Sequence, residues 1–385
     1  MNMSTVAIAR LTPALLAAAL LAATPALAAT YVYVSNADDG DISTYTLQSD
    51  GSLRPGARAA AAKIVMPMTI SPDRKFLFAA TRSKPFSVIT YSIDSGSGAL
   101  KQTSMSPLAE SFPYISLDKT GRYLFGASYG AHLISVNSVD ANGRVSNDPL
   151  QVIPVGRNAH SIRVDETNKF VYVPTLGSDS MFQFTFDAST GRLASNTPAV
   201  VLLKPLTGPR HFITSRDNRF VYALNELLGT VTTYTLDAKT GLLTEGESVS
   251  GVPRDAKLLP GAPRGAVGAP GGPPPRNTDN DIWSADIHMT PNEKFLYMTE
   301  RTSSTLGAFS VDGATGKLTY LGSTPTEKQP RGFAIDAKGQ FLVASGEKSD
   351  TVSSYAIDQT TGALKPVGKY PVGKGANWVE IVSFD

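Results

Sequence analysis

One feature limits this chain more than any other: a short aromatic and aliphatic run that recurs seven times. It reads Tyr31-Val32-Tyr33-Val34, Phe76-Leu77-Phe78-Ala79, Tyr123-Leu124-Phe125-Gly126 and Phe170-Val171-Tyr172-Val173 in the first half. Phe220-Val221-Tyr222-Ala223, Phe295-Leu296-Tyr297-Met298 and Phe341-Leu342-Val343-Ala344 follow. The runs start 45, 47, 47, 50, 75 and 46 residues apart. A period in that range, with four short strands per unit, is that of propeller blades. Helical repeats of similar length are disfavoured, because the runs are β-branched and Gly-rich turns separate them.

Each unit parses into strands. An apolar run precedes each anchor across a polar turn such as Ser71-Pro72-Asp73-Arg74 or Thr290-Pro291-Asn292-Glu293. A third run follows, for example Val231-Thr232-Thr233-Tyr234-Thr235-Leu236. An Asp-X-X-Thr-Gly turn, at Asp187 to Gly191 and Asp237 to Gly241, then leads to a fourth strand. Glycine there supplies the positive φ such turns need. The repeat begins on a second-strand pattern at Tyr31 and ends on a first-strand pattern, Trp378-Val379-Glu380-Ile381-Val382. The last strand therefore supplies the inner strand of the first blade and closes the ring without an unpaired edge. The expectation is an all-β, seven-bladed β-propeller over 29–385.

Two segments stand outside the repeat. In 1–28, Arg10 precedes the apolar stretch Leu11 to Ala23, and Pro25-Ala26-Leu27-Ala28 places small residues where a signal peptidase reads. This is the pattern of a secretory signal peptide cleaved near Ala28, and its prolines disfavour a membrane anchor. A periplasmic or secreted protein is expected. The 75-residue spacing holds an insertion at 252–280, rich in Gly and Pro, with Arg254, Arg264 and Arg276. It reads as an irregular loop on the face where inner strands start; a lid is the other reading.

Composition removes several kinds of chemistry. With no cysteine, disulfides, a thiol nucleophile and cysteine-held zinc are all excluded. A net charge of +2 sets up no global field for nucleic acid or a membrane surface. Neither partner is expected once the leader is removed.

Strand geometry turns the parse into a site. Inner-strand starts and second-strand ends share one face of an antiparallel blade. The starts include Asn158-Ala159-His160, Pro209-Arg210-His211, Asp286-Ile287-His288, Gln329-Pro330-Arg331 and Asn377-Trp378. The ends include Asn36, Arg82, Tyr129, Asn225-Glu226, Glu300-Arg301 and Glu347-Lys348. One mouth of the channel is thus expected to collect three of the four histidines with several Arg and Glu, while the other collects ordinary turn residues. Singly, each has an alternative: His288 could equally be a hydrogen-bonded core histidine, Trp378 simple packing at the splice, and His132 a surface residue.

The stretches Ala285-Asp286-Ile287-His288-Met289-Thr290-Pro291, Glu300-Arg301-Thr302 and Gln329-Pro330-Arg331-Gly332-Phe333 resemble the seven-bladed lactonase family. Gly208-Pro209-Arg210-His211-Phe212 and Asn225-Glu226 strengthen the match. That family includes a bacterial 6-phosphogluconolactonase and the fungal carboxy-cis,cis-muconate cyclase. The resemblance implies a hydrolase opening a sugar-acid lactone without metal or other cofactor. By motif, the cyclase's His, first Arg, Glu and second Arg fall on His160, Arg210, Glu226 and Arg301, which become the expected catalytic set. His211, Asp286, His288, Arg331 and Trp378 are expected to bind substrate. Glu226 or His160 would take a proton from water, Arg210 would face the developing oxyanion, and Arg301 and Arg331 would hold an anionic group. A cycloisomerase and a non-catalytic binding propeller remain as alternatives. Oligomeric state is not legible.

Overall fold

The computed structural model describes Met1 and residues 29–263 and 277–384. The signal-peptide reading on 1–28 and the middle of the 252–280 insertion lie outside the described residues. Seven antiparallel sheets, each of four or five strands, are arranged around a ring. Apart from one 3₁₀ turn at Leu176–Ser178, the described residues contain no helix.

All seven anchors are the second strands of their blades. The fifth blade is representative: inner Pro209–Thr214, then Phe220–Asn225, Thr230–Leu236 and outer Leu243–Ser250. The splice is formed as expected: Ala376–Phe384 pairs antiparallel with Ala29–Asn36, with Tyr33 opposite Glu380. Second strands are wholly or almost wholly buried, because each lies between the faces of two neighbouring blades.

The repeat also fixes how blades meet. The glycine between third and fourth strands sits at positive φ and receives the first aromatic of the preceding blade's anchor. A Cβ on Gly241 (φ +71°) would lie 2.1 Å from Phe170 Cδ1, and one on Gly191 (φ +74°) 2.2 Å from Tyr123. The contact runs round the whole ring, closing with Gly51 against Phe341. In the first, fourth and sixth blades the anchor's tyrosine adds a hydrogen bond to that turn: Tyr33 Oη donates to Gly98 O at 2.9 Å, and Tyr172 Oη to Gly241 O and Tyr297 Oη to Gly362 O, both at 2.8 Å.

Inner strands depart from regular pairing where it matters most. Five of the seven carry a one-residue bulge at their starting end, at 65–68, 209–211, 284–287, 330–333 and 376–378. A bulge adds a residue to one strand and re-aims the side chains around it. Neighbours in sequence are therefore sent to opposite halves of the channel.

Candidate active site

At the face where inner strands begin, a cavity of about 240 Å³ is lined by Met66, Arg82, Pro113, Tyr129, His160, Arg210, Glu226, Trp283, Arg301, Arg331 and Glu347. The expected catalytic residues His160, Arg210, Glu226 and Arg301 all border it, as does Arg331. They come from four blades, so only the closed ring brings them together.

Glu226 is the hub. Its Oε2 makes a 2.7 Å ion pair with Arg210 Nε, whose N–H does not point along the contact. The same oxygen accepts a 3.0 Å hydrogen bond from Arg301 Nη2. Arg210 also donates from Nη1 to Ala285 O and lies 3.1 Å from His211 Nε2. Arg301 donates from Nε to Trp283 O and stacks its guanidinium 3.7 Å from the Trp283 ring centroid. Arg331 lies 3.5 Å from Glu347, and its buried Nη1 makes no hydrogen bond. Arg82 donates from Nε to Ser111 Oγ at 3.0 Å.

Among the described residues, four guanidiniums thus face two carboxylates. Burial, then Arg301 and Arg331, pushes Arg210 down to about 9. Burial and then Arg331 lower Arg82 to about 10. His160 is held well below its ordinary value by burial, then by Arg210, His211 and Arg331. It is therefore a neutral imidazole at physiological pH. Its Nδ1 is buried without a partner. An orphaned buried N–H is rarer than an orphaned acceptor, which places the proton on Nε2.

The remaining expected binding residues are elsewhere. His211, Asp286, His288 and Trp378 do not reach the mouth; they line a separate cavity of about 290 Å³ in the far half of the channel. The reason is the bulges: Arg210 and Met66 line the mouth, while His211 and Met68 line the far cavity. Asp286 Oδ1 accepts from His211 Nδ1 at 2.9 Å and from Ile287 N at 3.0 Å. Its Oδ2 accepts from His288 Nε2 at 3.2 Å and from Phe333 N at 3.3 Å. Both oxygens are spent inside the protein. His211, lowered to about 3 by burial and Arg210, is neutral. It gives Nδ1–H to Asp286 and offers bare Nε2 to Arg210, so this pair braces the arginine from behind. Trp378 Nε1 donates to Glu380 Oε1 at 2.8 Å.

One further expectation changes. Glu300 is fully buried and caps its own turn, accepting from Trp283 N, Thr302 N and Ser303. His132, expected at the surface, is half-buried in its turn and accepts the Asn158 N–H at 3.0 Å. Sequence reasoning placed Arg82, Tyr129 and Glu347 at the right strand ends without choosing them as site residues, and gave Trp283 no role. A count of guanidiniums at strand ends would have found Arg82. Among the described residues, no three His, Asp or Glu side chains converge as ligands of a metal would.

The model of the lactonase family of seven-bladed β-propellers matches residues 26–381. A 6-phosphogluconolactonase of Serratia proteamaculans is 36% identical over 352 residues, covering 91% of this chain and 98% of the relative. One from Pectobacterium carotovorum is 34% identical over 354 residues, covering 92% and 99%. Among solved structures, a periplasmic gluconolactonase of Pseudomonas aeruginosa superposes with TM-score 0.78 at 25% identity, over 92% of this chain and 99% of that one.

Proposed function

Because the chain belongs to the lactonase family of seven-bladed β-propellers, we propose that it hydrolyses a sugar-acid lactone at the arginine-rich mouth, with 6-phosphogluconolactone as substrate. The observation that carries the substrate choice is the charge count. Among the described residues that line the cavity, Arg82, Arg210, Arg301 and Arg331 are set against the carboxylates of Glu226 and Glu347, an excess of two positive charges. A phosphate monoester brings roughly −1.5 to −2 at neutral pH, which matches that excess. The relatives named above as 6-phosphogluconolactonases support the same choice.

The roles follow from what each group has left to give. Arg331 and Arg82, each in the other's field, grip the phosphate. Neutral His160 donates from Nε2 to the lactone carbonyl oxygen, and the unused Nη2 of Arg210 stabilises the charge that develops there. Glu226 accepts a proton from the attacking water; His160, its basicity depressed, is the poorer candidate. The water oxygen bonds to the carbonyl carbon, the ring C–O bond breaks, and the proton held by Glu226 passes to the departing ring oxygen. The new carboxyl group then ionises. No step uses a metal.

A second reading, an unphosphorylated aldonolactone, is favoured by the periplasmic gluconolactonase among the structural neighbours and by the leader-like residues 1–28. We place the protein outside the cytoplasm on the same two observations. Hydrolysis of 6-phosphogluconolactone and glucono-δ-lactone by the purified protein, corrected for spontaneous opening, separates the readings. Preference for the phosphorylated lactone supports the first, and preference for the plain lactone the second. Acceleration of neither contradicts both.

A further inference from the structure

The far half of the channel carries the expected turn residues, among them Pro72, Asp118 and Lys119, and also encloses its own polar cavity. Its floor is the His211–Asp286 pair, which separates it from the mouth. Its walls include Tyr114, Arg163, Trp378 and Glu380. At about 290 Å³ it is as roomy as the mouth.

Most polar atoms here are already committed, which isolates those that are not. Both oxygens of Asp286 are spent, and Trp378 Nε1 is given to Glu380 Oε1. Lys119 pairs with Glu166 at 2.7 Å, and Asp118 accepts backbone N–H groups of its own turn. Arg163, by contrast, makes no ion pair among the described residues; the neutral Tyr114 hydroxyl is its nearest polar neighbour, and the Glu166 and Glu380 carboxylates act on it from beyond pairing distance. Opposite it stands Glu380, in its field but too far to pair, with one oxygen unused. The rings of Tyr114 and Trp378, 5.4 Å apart and edge to face, supply flat walls between them. A guanidinium, an acid group and aromatic walls in one cavity are complementary to a carboxylate carried on a short hydroxylated carbon chain.

We propose that the far half of the channel is a second binding site, for a small hydroxylated monocarboxylate of the aldonate class, held through its carboxylate by Arg163 and through a hydroxyl or the carboxylate by Glu380. The site is independent of which reaction runs at the mouth. Burial raises Glu380 from 4.5 to about 7, with Trp378, His288 and Arg163 opposing and Asp286 reinforcing. Below that pH it is protonated and donates to the ligand; above it, it repels a carboxylate. The other charged or titratable groups facing it are Arg163, Tyr114, His211, Asp286, His288 and, at the rim, Lys119 and Asp118.

The test is calorimetric titration of the full protein with gluconate, and with glucose as the uncharged control. Gluconate should bind near pH 6, weaken by about tenfold or more near pH 8, and outcompete glucose. Arg163→Gln and Arg163→Lys should each weaken gluconate by about tenfold or more while lactone turnover stays within about twofold of wild type. Arg331→Gln, at the mouth, should leave this binding intact. The proposal is overturned if gluconate fails to bind at tens of millimolar. It is equally overturned if Arg331→Gln abolishes binding while both folded Arg163 variants retain it, which would place gluconate at the mouth.

Discussion

Glu226→Gln tests the mouth on both stability and chemistry. The side chains of Arg210, Arg301 and Glu226 are 1%, 4% and 5% exposed, so the ion pairs are nearly dry. Removing one partner of a buried pair costs about 3–5 kcal/mol, because the other charge is left uncompensated. Glutamine keeps the shape and one acceptor oxygen, but turns an amide N–H₂ toward the second guanidinium. A cost of roughly 2–4 kcal/mol follows. For a chain of this length the unfolding entropy is about 0.7 kcal/mol per degree, so Tm should fall by roughly 3–6 °C. The substitution also raises the excess positive charge of the cavity. Inorganic phosphate should therefore stabilise Glu226→Gln more than wild type, through preferential binding to the folded state. Loss of the proton acceptor should lower kcat by about 10²- to 10⁴-fold. Thermal melts with and without phosphate, beside a pH-stat lactone assay, read all three quantities. Turnover within about threefold of wild type would refute the role given to Glu226. An unchanged Tm with equal phosphate stabilisation would refute the electrostatic reading of the cavity.

Other perturbations reach different parts of the molecule. Asp286→Asn should weaken the brace behind Arg210 and lower kcat by about 10- to 100-fold with little change in KM, measured by steady-state kinetics; an equal loss in KM would instead mean direct substrate contact. Gly241→Ala combines a positive φ with a Cβ overlapping Phe170, and should cost roughly 2–5 kcal/mol in denaturant unfolding while turnover of the folded fraction is retained. Glu380, raised from 4.5 to about 7, contributes a stability term that is present below pH 4.5 and lost as pH rises toward 7. Glu380→Gln removes that dependence, so relative to wild type it should gain roughly 1–3 kcal/mol on going from about pH 4 to pH 8 in paired melts.

The ring was legible because its information is periodic. Seven anchors, their turn glycines and a terminal inner-strand pattern each repeat one local rule, and inter-blade packing such as Phe170 on Gly241 depends on that rule alone. Placing His160, Arg210, Glu226, Arg301 and Arg331 on one face needed only the antiparallel order of inner and second strands. What failed was resolution along the inner strand. Regular alternation gives no warning that 209–211 or 284–287 bulges, and the bulge decides that Arg210 looks toward the mouth while His211 and Asp286 look away. Arg163 and Glu380 were invisible for another reason. Each sits inside an apolar run, Ile162-Arg163-Val164 and Val379-Glu380-Ile381, where a single charge reads as the exposed face of an ordinary strand.

Selection of a phosphorylated lactone by the excess of arginine over carboxylate at the mouth is tested most directly by one ratio. It is kcat/KM for 6-phosphogluconolactone over that for glucono-δ-lactone, in wild type and in Arg331→Gln. Hydrogen bonds to a charged group are worth about 1.5–3 kcal/mol, so the ratio should exceed one in wild type and fall by about 10- to 100-fold in the variant, with the plain lactone little affected. A wild-type ratio below one, or a ratio unmoved by the substitution, would contradict the account.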